Sequence, residues 1–71
     1  MALALDTGLP STRQVQTMIR EEIAVEIKLL TGDVLTGMVR WQDPHCVCIF
    51  ENGDTPTIVW RQSIAFIKPK L

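Results

Sequence analysis

From Ala24 onward, no connection between apolar runs is long enough to hold a helix. This constrains the fold more than any other feature, because parallel strands need a crossover of a dozen or more residues, usually helical. Strands joined this tightly pair antiparallel. Val25, Ile27 and Leu29 alternate with Glu26 and Lys28, the two-residue period of a half-buried strand. Thr31-Gly32-Asp33 is a tight turn. Val34 to Asp43 reads as a second, longer strand, with Gly37 in its middle where glycine usually marks a bend or bulge. Asp43-Pro44 breaks that run. Cys46 to Phe50 is a third, wholly apolar strand, and Glu51-Asn52-Gly53-Asp54 is a hairpin turn whose Asn-Gly pair accepts positive φ. Thr57 to Trp60 and Ile64 to Ile67 complete the set, joined by the polar corner Arg61-Gln62-Ser63 and closed by Pro69.

Before the strands, residues 1–9 have no period and read as a flexible N-terminal arm, leaving 10–71 as one domain. Ser11-Thr12-Arg13-Gln14 has the spacing of a capping box, and Pro10 suits a helix entrance. Val15, Met18 and Ile19 form one apolar stripe, so a helix is expected from about Ser11 to Glu21. The fold class is mainly β with an N-terminal α-helix, its five strands curling into a small barrel at Gly37. An SH3-like barrel and an OB-fold are both compatible with that pattern.

A chain of 71 residues buries too little surface to be comfortable alone. Small domains gain stability from disulfides, a metal or a partner subunit. Cys46 and Cys48 lie in one strand and point the same way, so they are poorly placed to bridge each other. His45 is the single histidine, and nothing completes a zinc site. No metal and no cofactor is expected, and self-association is the favoured staple. Free thiols fit a reducing, cytoplasmic setting. Met1 to Leu5 is too short and lacks the basic start of a secretory signal, and no stretch approaches a membrane span.

Enzymatic constellations are absent from the sequence, so the chain is expected to catalyse nothing. Gly32 and Gly37 sit between strands rather than at a helix start, which suits turn and bend and not a phosphate cradle. Cys46 and Cys48, in an apolar strand, read as inert packing residues. Trp41 and Trp60 can stack on bases or pack. Packing is favoured for Trp60 at the end of an apolar strand, and for Trp41 because period two places it on the face of Leu35 and Val39. Arg61 is either a solvated corner charge or, in a ring, a phosphate contact near the axis. Glu26, Lys28, Arg40 and Glu51 look like strand-face charges. The net charge of −1 argues against a generally basic nucleic-acid binder but leaves room for a local site that a ring would multiply.

Two segments carry a family likeness. Val25 to Val39, an alternating strand followed by a turn and Leu35-Thr36-Gly37-Met38-Val39, resembles the first Sm motif of the RNA chaperone Hfq. Asp43 falls where that family has an aspartate. Thr57-Ile58-Val59-Trp60-Arg61-Gln62-Ser63-Ile64 resembles the second Sm motif. With the preceding helix, the resemblance runs from about Pro10 to Pro69. Gln14-Val15-Gln16 in the helix and Trp41-Gln42-Asp43 at the strand end are similar to the cyanobacterial Hfq-like subgroup.

The resemblance implies an Sm-like five-stranded, strongly bent antiparallel barrel and a hexameric ring. Val59, Trp60, Ile64, Ala65 and Phe66 would join neighbours. It implies single-stranded RNA as partner, uridine-rich at a pore face built by Arg61, Gln62 and His45. Lys28, Gly32 and Thr36 would serve a distal face, and Arg20 the rim. The departures point to weakened binding. Arg61 stands for the family's pore lysine and Gln62 for its histidine, and His45 alone could replace the stacking aromatic. Lys28 stands for a distal tyrosine and Val34 for a distal lysine. The basic rim is reduced to Arg20 beside Glu21 and Glu22. The expected function is an RNA chaperone and post-transcriptional regulator. The alternative is a ring-shaped adaptor that engages a protein partner and binds little RNA.

Overall fold

The computed structural model describes residues 8–52 and 54–70. The expected arm at 1–9 lies outside the described residues except for Gly8 and Leu9. Gly53 of the hairpin turn and Leu71 lie outside them as well.

Helix α1 spans Pro10–Arg20. It begins one residue earlier than expected, and the Ser11–Gln14 capping box is not formed. Leu9 is the N-cap, and no side chain caps the helix. Proline explains the correction: its ring pre-sets φ for the first helical position and brings no N–H that needs a cap. The first helical hydrogen bond runs from Arg13 N–H to Leu9 O at 3.0 Å. At the other end Glu22 takes φ 54°, and Ile23 N–H reaches back to Met18 O at 3.0 Å. This is a Schellman closure with glutamate where glycine is usual. Val15 is buried, and Met18 and Ile19 pack with it on the core.

The strands are β1 (Ala24–Leu29), β2 (Val34–Gln42), β3 (Cys46–Glu51), β4 (Thr55–Trp60) and β5 (Ile64–Pro69), with one 3₁₀ turn over Arg61–Ser63. They form a single sheet in the order β4-β3-β2-β1-β5, every neighbour antiparallel. The first half of β2 pairs with β1 and the second half with β3, the exchange falling at Met38. The sheet bends strongly there, as the Sm-like fold requires. Gly37 makes the bend possible: a Cβ at this position would collide with the Phe50 carbonyl oxygen and stand 2.9 Å from its carbon. Val25, Ile27, Val39, Val47, Ile49 and Val59 fill the concave side.

One expectation fails inside β2. The ladder with β3 slips between Val39 and Trp41, pairing Val39 with Ile49 and Trp41 with Cys48. The extra residue, Arg40, forms a β-bulge, and a bulge breaks the two-residue alternation. Trp41 therefore turns to the face opposite Val39 and is 41% exposed. Trp60, paired with Cys46, and Ile58, paired with Cys48, share that outer face. The two cysteines are buried free thiols between these cross-strand neighbours. Burial pushes both thiols above their usual range, with the Asp43 charge adding to the effect at Cys46.

Candidate nucleic-acid interface

The pairing of Cys46 with Trp60 brings the β2–β3 and β4–β5 corners together. Asp43 shapes the first. Its Oδ1 accepts from the N–H groups of His45 at 2.8 Å and Cys46 at 2.6 Å, an Asx turn that closes the break at Pro44. The same two N–H groups hold the Asp43 carboxyl below its ordinary value of 3.8, with the charges of His45 and Arg61 helping against partial desolvation. Arg61 N–H then donates to His45 O at 2.8 Å, locking the second corner onto the first.

The Arg61 side chain turns toward the helix. Its Nη1 donates to Gln42 Oε1 at 3.0 Å and to Asp43 O at 3.4 Å. Gln42 Nε2 donates in turn to Thr12 O at 3.2 Å and to Gln16 Oε1 at 3.0 Å, both on α1. Gln42 pairs with Val47 in the ladder, so its side chain lies on the core side of β2, under the helix. Arg61 is half-buried, while Gln62 and His45 are exposed. The corner thus presents an anchored guanidinium flanked by an exposed amide and an exposed imidazole.

The other expected residues lie elsewhere. Lys28 pairs with Val34, and Glu26 with Thr36. All four sit on the face opposite Val25 and Ile27, because side chains alternate across a strand. Gly32, with φ 99°, belongs to the turn joining β1 to β2. Arg20 stands 3.8 Å from Glu21 on the surface. Arg40 is 3.6 Å from Glu22 and lies over the Phe50 ring at 5.2 Å. Reading the sequence found Arg61 but missed Gln42 and Asp43, which hold it. The Asp-Pro pair was a signal for an Asx turn as well as a strand end. Nothing in the sequence separates Gln42 from an ordinary strand-end polar residue. Among the described residues no group of His, Cys, Asp and Glu is arranged to hold a metal ion.

The sequence profile of the Hfq-related family matches residues 9–69. This chain belongs to the Hfq-related family. A crystal structure of an Hfq protein from Anabaena sp. superposes with a TM-score of 0.80 at 55% identity, covering 87% of this chain and 98% of that one. A crystal structure of the pleiotropic translational regulator Hfq superposes with a TM-score of 0.76 at 14% identity. It covers 80% of this chain and 93% of that one, and at such identity the likeness speaks for the fold alone. No curated protein matches the chain. The Hfq family consists of non-enzymatic, Sm-like RNA-binding proteins.

Hfq proteins form oligomeric rings, which directs attention to β4 and β5, the two edges of this sheet. Among the residues expected to join neighbours, Trp60 is 57% and Phe66 42% exposed, Ala65 is exposed and Ile64 half-buried. Val59 differs: its side chain lies in the protomer's own core, so only its edge backbone is open to a neighbour. Ile58, 58% exposed beside it, is a second apolar side chain that β4 offers outward with Trp60. Among the described residues no helix is long and apolar enough to cross a membrane.

Proposed function

We propose that this chain forms a hexameric ring that binds single-stranded, uridine-rich RNA on its helix side and acts as an RNA chaperone and post-transcriptional regulator in the cytoplasm. The observation that carries this reading is the anchored Arg61 corner at the position of the family's pore cation. In a ring closed by β4 of one copy against β5 of the next, each Arg61 would approach the axis with Gln62 and His45 beside it. Guanidinium suits phosphate because it offers a planar, permanently charged fork. Edge pairing would also remove the open strand edges that invite aggregation and cover Ile58, Trp60 and Phe66.

The affinity is proposed to be weaker than a fully basic ring would give. The net charge is −1, and Arg20 is offset by Glu21. Few phosphates can be neutralised, so few counterions are released on binding.

A second reading, the protein adaptor, is favoured by the opposite face. Val34, paired with Lys28, is 49% exposed and Leu30, just past the end of β1, is 69% exposed, an apolar surface more suited to a protein than to phosphates. Light scattering with and without a uridine-rich oligonucleotide, at low and high salt, tests the two. The RNA reading expects a ring that gains the oligonucleotide's mass at low salt and releases it at high salt. A ring whose mass never changes would favour the adaptor, and a stable monomer would overturn both.

A further inference from the structure

We infer that Gln42 is a positioning residue for RNA binding, an amide that fixes the Arg61 guanidinium against helix α1 so that its outer edge is presented to a phosphate. This inference rests on the helix-side reading above and adds a residue to it.

Arginine has five N–H donors and no acceptor. Both donors of Nη1 are directed inward, to Gln42 Oε1 at 3.0 Å and Asp43 O at 3.4 Å. Among the described residues nothing accepts from Nε or Nη2. Those two nitrogens form one edge of the planar group, the edge that takes two oxygens of a phosphate side by side. The inward contacts therefore occupy one side of the fork and leave the other intact.

Gln42 is suited to this task because it is held at its far end. Its Nε2 donates to Thr12 O and Gln16 Oε1, so both amide hydrogens go to the helix. The Thr12 carbonyl can only accept and Arg61 can only donate, so the amide has one orientation that satisfies both. A neutral acceptor is also the useful one: a second carboxylate here, beside Asp43, would hold the guanidinium but further reduce its charge toward RNA. An unheld arginine loses rotamer entropy on binding. The helix, through Gln42, has already removed part of that freedom.

The test is a mutant cycle on the assembled ring, read by equilibrium binding of a uridine-rich oligonucleotide across a salt series. Gln42→Met keeps the side-chain bulk and removes the amide, and Gln42→Asn keeps an amide too short to bridge Arg61 and the helix. Each should weaken binding about fivefold, the order of one hydrogen bond. The salt slope should stay that of the parent, since Arg61 keeps its charge. Arg61→Ala should lower the slope. In an Arg61→Lys ring, whose ammonium has no fork to orient, Gln42→Met should have no further effect.

Parent-like affinity of both Gln42 variants, with Arg61→Ala weakened, would overturn this inference and leave the helix-side reading standing. The same holds if Gln42→Met weakens the Arg61→Lys ring as much as the parent, because the loss would then not pass through the guanidinium. Undiminished binding by Arg61→Ala would overturn the helix-side reading and this inference with it.

Discussion

Arg61 and Lys28 are both cations at positions where the Hfq resemblance places RNA contacts, yet the chain treats them differently. Arg61 is half-buried, its backbone tied to His45 and its side chain to Gln42 and Asp43. Lys28 is also half-buried, but it extends from β1 between Val34 and Phe66 with no hydrogen-bond acceptor among the described residues. A long side chain without a partner must be ordered at the moment of binding, at a cost of about 0.5–1.5 kcal/mol. A shared charge therefore does not make equivalent sites. One corner is preorganised by the helix, and the other face is apolar surface around a cation with no hydrogen-bond partner among the described residues. The strand that links them is β2, which contributes Val34 and Thr36 to one region and Gln42 to the other.

The harshest way to break this contrast is to prevent assembly, since only a ring gathers copies of Arg61. Ile64→Asp, on the edge strand β5, should abolish the oligomer and with it all measurable oligonucleotide binding. Sedimentation of the variant checks this, and an intact ring that still binds would contradict it. Next in size is the bend itself. Gly37→Ala puts a methyl against the Phe50 carbonyl and should cost about 2–3 kcal/mol, as overpacking against backbone does. Urea unfolding would register it, and a change under about 0.5 kcal/mol would show that the bend tolerates a side chain.

Acid sharpens the contrast because only the helix-side corner contains a carboxylate held by backbone. Asp43 titrates below 3.8 when folded and near that value when unfolded. Its stabilising contribution is therefore complete above the ordinary value and lost as pH falls through the lower folded one. Asp43→Asn should flatten the acid limb of the stability curve below about pH 4 and leave the neutral region nearly level. An unchanged acid limb would mean the Asx turn does not depend on the charge. The smallest effect belongs to the thiols. Cys46→Ala with Cys48→Ala should lower the melting midpoint through lost burial and leave oligonucleotide affinity within about twofold. A tenfold affinity loss would give the cysteines a role that their raised titration range does not suggest.

Much of the fold was legible because its signals are local. The alternation in β1, the turns at Gly32 and Asn52 and the glycine in mid-β2 each act over a few residues, and the antiparallel order follows from short connections. Glu51 and the stretch from Thr55 were readable only in part, since strand ends depend on partners. What stayed hidden is non-local. The bulge at Arg40 reverses the face of Trp41, and it arises from the offset between β2 and β3 rather than from any residue type. The capping box at Ser11 lost to Pro10, whose backbone preference starts the helix first. At the site, Arg61 could be singled out by its place in the second Sm motif. The chain from Arg61 through Gln42 to Gln16 spans three elements, and no spacing in the sequence announces it.

The central claim is that RNA meets the anchored helix-side arginine and not the lysine face. The most direct measurement is the affinity of a uridine-rich oligonucleotide for rings of the parent, Arg61→Ala and Lys28→Ala, each confirmed as assembled and compared at low salt. The account predicts a loss of more than about tenfold for Arg61→Ala and less than about twofold for Lys28→Ala. Parent-like binding by Arg61→Ala together with a large loss in Lys28→Ala would contradict it and move the site to the opposite face.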